Sequence, residues 1–61
     1  SLPPLSEEQR RVLAEISREE CSFDQLAERT GMDAPQLSGA LTMLQLLGLV
    51  KSLPGKIYAR L

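Results

Sequence analysis

The sequence predicts a mainly α-helical domain with a small β-hairpin, a winged helix-turn-helix built as a three-helix bundle plus wing. Two observations lead there. Three helix-start signals fall within 61 residues: in each, a Ser or Asp side chain is set to accept from a free backbone N–H, and a Gln three positions on is set to reach back to the cap. The carboxyl-terminal stretch instead holds two short β-prone runs around Pro54-Gly55, a pair suited to a tight turn. Helix, very short strand, helix, tight turn, helix, hairpin is the order of that motif, in which the second and third helices cross steeply. A plain three-helix bundle with a disordered tail is the competing reading, and the alternation through Ile57, Tyr58 and Ala59 argues against it.

Residues 1–5 read as an extended lead-in or linker stub, because Leu2-Pro3-Pro4 is a poor helix start; the domain proper is expected over 6–61. Ser6-Glu7-Glu8-Gln9 opens the first helix, with both glutamates at the positive end of its dipole. Val12, Leu13 and Ile16 give it one apolar face, and it should end near Ser17 or Arg18. Cys21-Ser22 offers one or two strand pairs before Ser22-Phe23-Asp24-Gln25 caps a second, short helix with Phe23, Leu26 and Ala27 inward. Thr30-Gly31 closes that helix, since glycine accepts the left-handed conformation of a C-cap. Asp33-Ala34-Pro35-Gln36 caps the third, with proline tolerated in the first turn. Its stripe of Leu37, Ala40, Leu41, Leu44 and Leu47 or Gly48 is the cleanest in the chain, and Gly48 ends it. Leu49–Leu53 and Lys56–Arg60 form the hairpin.

Composition narrows the function classes. Hydrophobic residues make up 43% and charged residues 25%, an ordinary soluble globule, and no run approaches the ~20 apolar residues of a membrane span. No membrane partner is expected, and the amino end lacks the pattern of a secretory signal or transit peptide, so the expected compartment is the cytoplasm. With no histidine, one cysteine lacking a neighbouring base, no glycine-rich phosphate loop and no paired carboxylates in a pocket, no catalytic, cofactor or metal site is expected. Cys21 is most simply a small buried apolar residue. The net charge of −1 counts against strong duplex binding by the whole surface. Charge is nevertheless uneven: after Arg29 the only acidic residue is Asp33, set against Lys51, Lys56 and Arg60.

The runs Leu5-Ser6-Glu7-Glu8-Gln9-Arg10-Arg11-Val12-Leu13, Phe23-Asp24-Gln25-Leu26-Ala27-Glu28-Arg29-Thr30-Gly31 and Gly48-Leu49-Val50-Lys51-Ser52-Leu53-Pro54-Gly55-Lys56-Ile57-Tyr58 resemble the C-terminal winged-helix domain of the DNA-processing DprA (Smf) family. The ending is the most specific piece. The sequence departs from the family pattern at Gln45 and Leu47, where a glutamate and a smaller or charged residue respectively would be usual. The resemblance implies a part in natural transformation. There a Rossmann-like domain binds and protects incoming single-stranded DNA and helps load the recombinase RecA. No residue among these 61 takes that domain's role, so the resemblance implies an accessory module attached to the rest of a parent protein.

Two candidate surfaces follow. On the outward side of the third helix, Gln36, Ser38 and Thr42 could make weak contacts to DNA, but no Arg or Lys lies between Ala34 and Val50, so the usual bidentate guanine contact is missing. The wing residues Lys51, Lys56 and Arg60, joined by Arg10 or Arg11 if the first helix faces the same way, could reach phosphates of single- or double-stranded DNA with weak, sequence-tolerant affinity. The blander reading makes them solvated residues that keep an edge strand soluble. A different class of function, protein contact or self-association, is suggested by Gly39, Met43 and Leu46. Helical glycine costs about 1 kcal/mol against alanine, and close approach of a partner is one reason to keep it. Against this, Met43 and Leu46 at helical spacing are expected to be covered by the hairpin or the first helix. Tyr58 reads as a core residue with its hydroxyl at the surface.

Overall fold

A computed structural model describes residues 4–61 and gives the architecture as α1 (Glu7–Arg18), β1 (Cys21–Ser22), α2 (Phe23–Thr30), α3 (Ala34–Leu46), β2 (Val50–Leu53) and β3 (Ile57–Arg60). Of the expected lead-in, Pro4 and Leu5 belong to no regular element, and Leu5 packs partly against the core; Ser1, Leu2 and Pro3 lie outside the described residues.

Each helix begins where its cap chemistry dictates. Ser6 Oγ accepts from Gln9 N–H at 3.1 Å, and Gln9 Oε1 accepts in return from Ser6 N–H at 2.9 Å. Ser22 and Gln25 repeat the pair at the same distances, and Asp33 with Gln36 repeats it at 2.9 and 3.4 Å. The helix ends are equally local. Gly31 takes φ +72 after α2. After α3, Gly48 takes φ +75, its N–H donating to the Gln45 carbonyl while the Leu49 N–H donates to the Leu44 carbonyl, the pair of bonds that terminates a helix in a Schellman turn.

The sheet runs in the order β1-β3-β2, antiparallel throughout, with Cys21 opposite Tyr58 and Val50 opposite Arg60. The two-residue strand β1 thus pins the wing to the helices. Its ladder extends one bond further, from the Phe23 N–H to the Lys56 carbonyl at 3.0 Å. The hairpin turn is longer than a Pro54-Gly55 pair. Leu53 faces Ile57, so Lys56 lies in the turn and not in the strand. There it takes φ +58 beside Gly55 at φ +87.

One core lies between the helices and the inner face of the sheet: Val12, Leu13 and Ile16 from α1, Cys21 from β1, Leu26 from α2, Met32 from the turn, Leu37, Ala40, Leu41 and Leu44 from α3, and Val50 from β2. Phe23 and Ala27 are only half-buried at its margin. Thr30 is buried instead, its hydroxyl donating to the Leu26 carbonyl and accepting from the Met32 N–H, which satisfies the polar group inside.

Candidate nucleic-acid and protein interface

The buried stripe of α3 ends at Leu44, which places Ser38, Gly39, Thr42, Met43 and Leu46 together on its exposed side. No charged residue occurs from Ala34 to Val50, so that side is electrically neutral along its whole length. Neither the hairpin nor α1 covers it: Met43 is 43% and Leu46 75% exposed, contrary to the helical-spacing argument that would bury them. Leu47, expected on the inward stripe, is 38% exposed because the chain leaves the helix at that residue and turns through Gly48. Gly39 meets no intramolecular demand. A Cβ built on it has nothing within 4 Å. Gln36 is committed elsewhere, its Oε1 to the cap of α3 and its Nε2 donating to Glu8 Oε2 at 3.4 Å.

On the wing the three cations do not form one cluster. Facing residues in an antiparallel ladder share a side, and neighbours along a strand alternate. Arg60 is opposite Val50, which is buried in the core, so Arg60 starts from the helix-facing side; Lys51 is opposite Ala59, on the other. Arg60 Nη1 donates to the Leu49 carbonyl at 3.3 Å, and its side chain lines a groove shared with Arg10 of α1. Lys56 projects from the turn, exposed. On α1, Arg10 therefore keeps company with Arg60, whereas Arg11 is drawn to the other side, donating to the Thr30 carbonyl at 2.8 Å.

Acidic partners are unequally shared. Arg18 pairs with Glu15, and Arg29 with Glu15 and Glu19, at 3.3 to 4.0 Å. Among the described residues Lys51, Lys56, Arg10 and Arg60 form no ion pair. The Cys21 thiol is buried, donates to the Glu19 carbonyl at 3.3 Å and accepts from Arg29 Nη1 at 3.4 Å. Desolvation holds its pKa above the ordinary thiol range, with Arg29 opposing the shift. Among the described residues no group of three or more His, Cys, Asp or Glu side chains gathers as metal ligands would, and no helix is long and apolar enough to cross a membrane.

Three helices with a three-stranded antiparallel sheet, the last two strands forming a wing beside an exposed third helix, define a winged helix-turn-helix domain. The sequence carries the family's signature as well: the DprA winged helix domain matches residues 1–56, and the chain belongs to that family. Comparison with curated proteins and with solved structures gives no match.

Proposed function

We propose that this domain is the accessory module of a DprA-type protein that acts in the cytoplasm in DNA uptake, natural transformation and recombinase loading, and that it contributes weak, sequence-tolerant contact with DNA through its wing. It binds and does no chemistry. The supporting observation is the division of charge: Lys51 and Lys56 are exposed and make no ion pair among the described residues, whereas α3, the element that reads bases in other helix-turn-helix domains, carries no cation at all. Phosphate contact without base readout is what such a surface can supply.

Labelled oligothymidylate and a labelled duplex of arbitrary sequence, titrated with the domain across a salt series, provide the test. If both lysines meet phosphates of a single strand, log K should fall against log salt with a slope of about −1.4, roughly a sevenfold loss from about 50 to 200 mM salt, and each Lys→Glu change should remove about half of that slope. Affinity that is insensitive to salt, or unchanged in the Lys51→Glu, Lys56→Glu double variant, would overturn the wing reading.

A second reading is favoured by a specific observation on α3. Exposed Met43 and Leu46 beside an unobstructed Gly39 suit contact with protein, either the rest of the parent chain or another copy. Met43→Glu and Leu46→Glu would abolish such association while leaving nucleic-acid binding at its original strength.

A further inference from the structure

Beyond the wing and α3, Pro4 and Leu5 lie against α1 and leave an open groove of about 500 Å³, lined by these two residues, Leu13 and Ala14 with Arg10 and Arg60 beside them. We propose that this groove docks a short acidic and apolar peptide segment of a partner protein, seating an aliphatic side chain on the apolar floor while its carboxylates pair with the two guanidinium groups.

Charge and shape commit the site to that occupant. The floor is hydrocarbon, and Ser17, also at its edge, donates its hydroxyl to the Leu13 carbonyl at 2.7 Å, so it is not a free polar anchor. Among the described residues no carboxylate lines the groove. Arg10 Nη1 donates to the Leu5 carbonyl and Arg60 Nη1 to the Leu49 carbonyl, each at 3.3 Å; these single bonds hold the side chains in place and leave most of each guanidinium's five donors available. Guanidinium forks match carboxylates and phosphates alike, and the hydrocarbon floor favours an anion that brings an aliphatic side chain with it. A single-stranded nucleic acid fits less well, because base binding in such grooves relies on aromatic stacking. The chain's two aromatic residues, Phe23 and Tyr58, are not among the lining residues.

The groove is separate from the wing lysines, so the two proposals can fail independently. The test uses the 61-residue chain and a fluorescein-labelled hexapeptide alternating glutamate with leucine, followed by anisotropy and by ¹⁵N NMR. Binding should shift the amides of Leu13, Ala14, Ser17 and Arg60, weaken on the order of tenfold in the Arg10→Ala, Arg60→Ala double variant, and stay unchanged in the Lys51→Glu, Lys56→Glu variant. Ala14→Glu, at an exposed helical position, should block the groove without unfolding the domain, which the NMR spectrum of the free variant checks. Failure of the hexapeptide to bind, equal binding of its lysine-for-glutamate counterpart, shifts confined to α3 or the wing, or displacement by oligothymidylate would each overturn the proposal.

Discussion

Thr30 shows how one hydroxyl can hold a helix end and a turn together. Its O–H donates to the Leu26 carbonyl and its oxygen accepts from the Met32 N–H inside the core, so Thr30→Val keeps the shape but strands the Met32 N–H; a loss of about 1–3 kcal/mol in urea unfolding is expected. Gly39 makes the opposite case. Since a Cβ there meets nothing, Gly39→Ala should stabilise α3 by about 0.5–1 kcal/mol, seen as a higher Tm, and a loss of stability would show that the space is already in use. At Cys21, burial keeps the thiol protonated in the folded state. That group's contribution to stability is complete below the unfolded thiol's pKa and is lost as pH rises through the raised folded value. Alkylation by iodoacetamide at neutral pH should therefore be much slower in the native domain than in urea.

Helix starts were legible in the sequence because capping is local: each box spans four consecutive residues and its chemistry depends on nothing beyond them. The wing's turn was harder to read. Pro54-Gly55 announces a turn, yet the third turn residue is a lysine in the left-handed region, which no propensity assigns to lysine; the bond from the Phe23 N–H to the Lys56 carbonyl ties this turn to the start of α2. Gly55, at φ +87, should tolerate alanine poorly, with Gly55→Ala costing about 1–2 kcal/mol while the Leu53–Ile57 register persists. Face assignments on the wing depended on register, which the alternation of a short run does not fix. That is why Arg60 could be counted with Lys51 from sequence although the ladder sets them on opposite sides. Helical phase put Met43 and Leu46 on the outward side of α3, but that neither the hairpin nor α1 covers them was not legible, since spacing identifies an apolar position and not its neighbours.

Taken whole, the domain rests on a single core, and one of this size supplies only about 3–5 kcal/mol of net stability. Leu44 is fully buried where α3 meets the rest of the core. Leu44→Ala should cost about 2–5 kcal/mol and leave much of the population unfolded at room temperature, measured by circular dichroism. The same economy shapes function: Arg18 and Arg29 are drawn into pairs with Glu15 and Glu19, whereas Lys51 and Lys56, like Arg10 and Arg60, form no ion pair among the described residues and stay open to an outside anion. The most direct measurement is an ¹⁵N-labelled domain titrated with oligothymidylate at low salt, reading the backbone amides one by one. The wing account predicts shifts at Lys51, Ser52, Gly55 and Lys56 that fade as salt is added; shifts centred on Ser38 to Leu46, or none at all, would contradict it.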